Sequence, residues 1–157
     1  MKTLKHILIL SALAVGFTAC GDNENEEEHK KETTEYDFTG NLSVSNGYKQ
    51  DGINMNITVN HLKQMSDIYI NRITFSEKMP FVNVDLKEIP FTVNGGDTLY
   101  AKDTIVPYWN GGAVENMTLY NFNAKVNADS VSFSAQGGVV SQEGENILLF
   151  QGVRNKH

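Results

Sequence analysis

An all-β domain, a small antiparallel barrel or sandwich of about seven to nine short strands, is the fold class this sequence predicts. Three observations carry it. Apolar residues recur with period two over most of residues 36–157, Gly and Asn pairs punctuate those runs, and no stretch there sustains a helical stripe beyond about two turns. Period two places one set of side chains on a buried face and the other in solvent, while glycine and asparagine supply the positive φ of tight turns.

The residues ahead of that domain read differently. Lys2 and Lys5 precede an apolar stretch from Ile7 to Phe17, broken by Ser11 and Gly16, and then come Thr18, Ala19 and Cys20. This is the layout of a secretory signal peptide over residues 1–19. A dozen or so apolar residues in a helix fall well short of the roughly 30 Å hydrocarbon layer, so the stretch is not a membrane-crossing anchor. Small residues directly before a cysteine that closes an apolar run resemble the lipobox of bacterial lipoproteins, with Phe17 where Leu is usual. The resemblance implies that Cys20 takes a diacylglyceryl group and a further palmitate-type chain, and that it begins the mature protein. Two or three acyl chains anchor stably where one binds only marginally. Cys20 is the single cysteine, so no disulfide is expected.

Between Gly21 and Glu35 seven acids (Asp22, Glu24, Glu26, Glu27, Glu28, Glu32 and Glu35) face only Lys30 and Lys31, with no large apolar residue. Such a segment cannot bury enough surface to fold, so residues 20–35 are expected to be a lipidated, disordered acidic tether. An acid run directly after the lipidated cysteine resembles the signal by which lipoproteins of Bacteroidota-type bacteria reach the outer face of the outer membrane. It implies display at the cell surface; a periplasm-facing lipoprotein with a plain spacer is the alternative.

Within the domain the clearest strand is Ile53, Met55, Ile57 and Val59, alternating with Asn54, Asn56, Thr58 and Asn60. The same alternation marks Phe38–Val44, Val82–Leu86, Ile89–Val93, Tyr120–Val126 and Val131–Ala135. Ile68–Phe75 and Ile147–Val153 are apolar on both faces, and His61–Ser66 is the one place for a short helical turn. Turns are expected at Asn46–Gly47, Asp51–Gly52, Asn94–Gly96, Asn110–Gly112, Gly137–Gly138 and Gly144.

Phe75, Met79 with Pro80, Asp85, Ile89 with Pro90, and Asp103 through Pro107 resemble the central region of calycin-like β-barrel lipoproteins of Bacteroidota-type bacteria, over roughly Tyr36 to Val153. The resemblance implies one lipocalin-like antiparallel barrel of about eight strands over residues 36–157. No Gly-x-Trp opens the first strand, where Phe38, Gly40 and Leu42 stand, and the only tryptophan, Trp109, is placed in a loop, so no lipocalin ligand is carried over.

Little here points to catalysis. A nucleophile needs a base beside it, and the domain offers His61, at a strand end, and the terminal His157. There is no Gly-x-Ser-x-Gly turn, no phosphate-cradling loop and no Cys or His pair at zinc spacing, so no catalytic, metal or cofactor-binding residues are assigned. Paired carboxylates remain formally available among Asp85, Glu88, Asp97, Asp103 and Glu115. A formal charge of −6 and the lack of a basic cluster argue against nucleic acid.

Tyr108 and Trp109, followed by Asn110, Gly111 and Gly112, are the candidate contact residues, of a composition that stacks on sugar rings; the competing reading folds Trp109 back to close the barrel end. The expected function is a monomeric, non-enzymatic envelope protein, held to its membrane through Cys20, whose barrel binds a small ligand, a glycan or a protein partner. The alternatives are an accessory docking subunit of an envelope complex or an inhibitor of a secreted enzyme. The bulky residues Phe38, Phe75, Phe81, Phe91, Phe122, Phe133 and Phe150 favour a filled interior over a ligand cavity.

Overall fold

The computed structural model describes residues 32–109, 112–113, 117–139 and 146–156. Cys20, the signal peptide, the tether up to Lys31, and Asn110, Gly111, Glu115 and Gly144 lie outside the described residues. Residues 31–157 form one compact unit.

The described residues make ten strands and no helix: β1 Thr33–Val44, β2 Lys49–Asn60, β3 Met65–Ile73, β4 Val82–Asn94, β5 Asp97–Ile105, β6 Tyr108–Trp109, β7 Gly112–Ala113, β8 Met117–Val126, β9 Ser130–Val139 and β10 Asn146–Arg154. Eight of them pair antiparallel in chain order, with β5 beside β8, and β10 returns to β1 over Phe38–Val44. The sheet is therefore a closed barrel, not a sandwich. Closure pairs each of those eight strands on both sides, with the ladder broken only along the lower part of β4 and β5. β6 and β7 form a small hairpin joined to β4.

Because the strands alternate in direction, the barrel has two distinct rims. At the entry rim β1 starts at Thr33, and the β2–β3 turn, the β4–β5 turn, the β8–β9 turn and the end of β10 gather beside it. The far rim carries the β1–β2 turn, residues 74–81, and the β6–β7 hairpin.

Inward positions follow the predicted alternation where a strand is regular. Ile53, Met55, Ile57 and Val59 are buried and the residues between them are not. Phe38, Leu42 and Val44 face them from β1, with Val131, Phe133 and Ala135 from β9. Aromatic rings fill the middle of the barrel: Phe133 stacks on Phe150 at 5.1 Å between centroids and 9° between planes, Phe122 packs on Phe133 at 5.6 Å, and Phe91 on Tyr100 at 5.9 Å.

Several expectations are corrected. Strand pairing reaches back to Thr33, opposite Asn60, and a Thr34 Oγ1–His61 Nε2 hydrogen bond of 2.8 Å ties it down, so residues 33–35 belong to the barrel and not to the tether. His61–Gln64 is a turn without helix, in which Asn60 Oδ1 accepts from the Lys63 N–H at 2.8 Å. Val82–Val93 is one strand, not two. Its inward set changes from Val84 and Leu86 to Ile89, with Phe91 half-buried, across a bulge where Glu88 takes φ 52°. A second bulge at Asn121, φ 51°, turns Tyr120 outward and brings Leu119 into the core in its place. Each bulge adds one residue and so reverses which parity faces in.

Asp51–Gly52 is likewise a bulge inside β2, with Gly52 at φ 69°, and Gly137–Gly138 lies inside β9. A Cβ on Gly137 would stand 2.6 Å from Leu119 Cδ2, so close packing, not a turn, demands glycine there. Asn94–Asp97 is the expected hairpin: Gly95 and Gly96 take φ 60° and 90°, the signature of a type I′ turn. The expectation of two apolar faces fails for β10, where Leu148 and Phe150 are buried but Ile147, Leu149 and Val153 stand in solvent.

Candidate functional site

The barrel wall is interrupted at one seam. β4 and β5 pair only from Phe91–Tyr100 to Asn94–Asp97. Below that, the neighbour of β4 on this side is β6, through the single bridge Asp85–Tyr108. The ammonium of Lys102 stitches the gap, donating to the carbonyls of Lys87 at 3.2 Å and Glu88 at 3.1 Å, which the bulge turns away from the ladder. Buried Pro107, which has no N–H to leave unpaired, carries the chain from β5 into β6.

This arrangement lifts aromatic side chains onto the outer face of the far rim. Tyr69 on β3, Asp85 on β4 and Tyr108 on β6 are register neighbours across three strands. At about 4.8 Å between strands, the two tyrosines stand about 10 Å apart with a carboxylate between them. Both are 38% exposed, and Trp109, which follows on the opposite face of the hairpin, is 46% exposed. The indole is thus partly exposed, and it sits on a short strand where the sequence suggested a loop.

Phe81, also exposed, lies where β4 begins, with the Arg72 guanidinium 5.2 Å from its ring centroid. Lys87 Nζ lies 3.9 Å from Asp85 and 3.5 Å from Asp67. The rings offer flat apolar faces, while Asp85 accepts hydrogen bonds and Lys87 and Arg72 donate them. Of the two residues singled out from sequence, both are here; the sequence alone assigns no role to Tyr69 or Arg72, and Phe81, expected inside the barrel, stands 53% exposed at the start of β4 instead. Tyr69 was legible as the outward residue between Ile68 and Ile70.

The other candidates are dispersed. Asp97 pairs with Lys125 at 2.7 Å, while Glu88 and Asp103 are exposed on different strands. His61 is exposed, edge-on to Phe91 at 6.5 Å between centroids and bonded to Thr34. Among the described residues no group of three or more His, Cys, Asp or Glu is placed to hold a metal ion.

An open depression of about 740 Å³ is lined by Pro90–Thr92, Leu99–Ala101, Asn123–Lys125, Ser132–Ser134 and Leu149–Gln151. On β5, β8, β9 and β10 each triplet centres on a buried inward residue flanked by two more exposed ones. The depression therefore lies on the outer wall, between two rows of outward side chains, where a twisted barrel is concave along its axis.

Inside, the Ser66 hydroxyl donates to Tyr100 Oη at 3.5 Å, and both residues are buried. Burial pushes the Tyr100 phenol above its ordinary value of 10.0, the Ser66 hydrogen bond opposes this, and Tyr36 adds to it. An acid whose folded pKa is raised favours the fold fully below the unfolded pKa, and loses that contribution as pH rises from about 10 through the folded value. The protein is therefore expected to lose stability above pH 10, with part of that loss abolished in Tyr100→Phe. Denaturation midpoints at pH 8 to 11.5 for both proteins check this; identical pH profiles would exclude Tyr100 as the cause.

Comparison with models of known protein families gave no match, and comparison with curated proteins gave none.

Proposed function

We propose that this chain is an exported, non-enzymatic binding module of the cell envelope, akin to calycin-like barrel lipoproteins. It is anchored to the outer membrane by lipid on Cys20 and binds a glycan through the aromatic rim. The observation that carries the reading is the β6–β7 hairpin. The eight-strand ladder closes without it, and it holds Tyr108 on the outer face beside Asp85 and Tyr69, with Trp109 partly exposed on its other face. Exposed aromatic groupings on a small domain mark interaction sites.

A glycan fits the composition better than an apolar protein surface does. The rings are separated by Asp85, Lys87 and Arg72, so stacking faces alternate with hydroxyl-binding groups instead of forming one apolar patch. The aromatic-filled interior favours binding on the wall over binding inside it. Docking to an envelope protein is the second reading, favoured by exposed Leu99 and Leu149 beside the outer depression.

Trp109 is the sole tryptophan, so its emission reports binding directly. Titrating purified protein with soluble envelope and plant polysaccharides should shift that emission. Tyr108→Ala should weaken binding at least about tenfold, or about 1.4 kcal/mol, with an unchanged circular dichroism spectrum. A panel in which no polysaccharide perturbs Trp109, or binding indifferent to Tyr108→Ala, would sink the glycan reading. In cells, Cys20→Ala should move the protein from the membrane to the soluble fraction; retention on membranes at high salt would exclude Cys20 as the anchor.

A further inference from the structure

The three most exposed large apolar side chains among the described residues are Leu62 (76%), Val93 (68%) and Val153 (65%), and all three lie at the entry rim. Leu62 tips the β2–β3 turn, Val93 precedes the Gly95–Gly96 turn, and Val153 stands near the end of β10. The first two turns are joined, with the Phe91 N–H donating to the Gln64 carbonyl at 3.3 Å. The apolar points are set around a rim, not gathered into one patch. That distribution suits a flat surface better than a pocketed protein partner.

We propose that the entry rim rests on the lipid bilayer, with Leu62, Val93 and Val153 dipping into the interfacial layer and the aromatic far rim held away from it. The orientation rests on the reading of Cys20 as the lipid-bearing residue. Residues 21–32 separate Cys20 from the start of β1. A solvated chain of that length has a root-mean-square span of about 20 Å. The twelve residues of β1 run about 40 Å, or about 30 Å along the axis of a barrel with strands tilted near 40°. The tether is thus short beside the barrel, and it meets the barrel at the rim that carries the three side chains.

Charge does not drive this contact. Lys63 and Arg154 follow Leu62 and Val153 in sequence, and Lys125 and Lys156 lie 2.7 Å from Asp97 and 3.9 Å from Asp129, while Glu32 and Glu35 at the start of β1 bring the rim to four acids against four bases. Contact with neutral lipid, insensitive to salt, is what apolar side chains in a charge-balanced setting produce.

The test uses the chain from Cys20 onward, its thiol coupled to a maleimide-bearing lipid in phosphatidylcholine vesicles, so that anchoring does not depend on processing in cells. In the Leu62→Trp, Trp109→Phe chain, lipids brominated near the headgroup should quench emission by about half, as for a side chain seated some 5–10 Å into the interface. Trp109 of the otherwise unaltered chain should resist brominated lipid and yield to aqueous iodide. Replacing Leu62, Val93 and Val153 together by Ser should leave the dichroism spectrum intact and raise the rotational freedom of the anchored domain. Three results would overturn the proposal: no lipid quenching at position 62, quenching removed by 0.5 M salt, or a concentration-dependent shift there without vesicles, which would mean a second copy covers the rim. Failure of lipidation itself is read separately, from the membrane fractionation of Cys20→Ala.

Discussion

Gly40→Ala is expected to destabilise the domain by about 3 kcal/mol or more, a large share of the 5–15 kcal/mol typical of a whole domain. Gly40 and Gly152 are paired where β10 closes on β1, and the Phe150 ring lies across both. A Cβ on Gly40 would stand 2.5 Å from Phe150 Cζ and 2.6 Å from the Gly152 Cα, and closer still to the Gln151 carbonyl oxygen. A ring can tilt; the backbone of the closing strand cannot without opening the ladder. Added atoms in a packed core usually lower stability by about 1–3 kcal/mol, and backbone neighbours put this site at or beyond the top of that range.

Gly47→Ala isolates the other penalty a glycine substitution carries. Gly47 has φ 91° with nothing within 4 Å of a Cβ, so the change is expected to cost only about 1 kcal/mol, from backbone conformation. Adding Phe150→Leu to Gly40→Ala should recover part of the loss, since it relieves the ring contact and leaves the backbone contacts. Urea midpoints order the variants. Gly40→Ala within about 1 kcal/mol of wild type would mean that β1 and β10 do not close as described.

Ile57→Ala is expected to lower stability by about 2–5 kcal/mol, because Ile57 is fully buried opposite Tyr36 and Ile68 and a barrel wall collapses only partly into the space it leaves. Its neighbour Asn56 points outward. There its Nδ2 donates to Asp37 Oδ1 at 3.0 Å and its Oδ1 accepts from Thr58 Oγ1 at 3.2 Å. Half-buried hydrogen bonds of this kind contribute about 0.5 kcal/mol net each at the lower end of their range, so losing both in Asn56→Ala should cost about 1 kcal/mol. The two midpoints are measured together, and a greater loss at Asn56 than at Ile57 would reverse the inside and outside of β2.

That contrast shows what was legible. Ile53–Val59 could be assigned from sequence because its period of two runs unbroken through seven positions and one face is wholly apolar. Tyr120 could not: it shares parity with Phe122, and only the bulge at Asn121 turns it outward. Composition alone gives β10 two apolar faces and so buries Leu149 and Val153, because hydrophobicity says nothing about which side of a strand receives a covering layer. A barrel covers only one. Gly137 and Gly152 resembled turn residues or had no assigned role, yet both are glycine because a ring or a neighbouring strand occupies the volume of their Cβ.

The aromatic site divides in the same way. Tyr108 and Trp109 drew notice for their type and for the glycines after them, which is local information. Their neighbours Tyr69 and Asp85 are 39 and 23 positions earlier. Strand pairing makes them a site, and pairing partners depend on how the seam between β4 and β5 opens.

By itself the sequence determined the strand class, the inward face of the strands with clean apolar–polar alternation and the β4–β5 hairpin, because each follows from chemistry confined to a few consecutive residues. Closure of β10 on β1, the bulges that reverse parity, the seam stitched by Lys102, and the opposite placement of the aromatic and aliphatic rims were decided only by the tertiary structure. They depend on which distant backbones come to lie side by side, and residues that meet across a barrel have no fixed spacing along the chain.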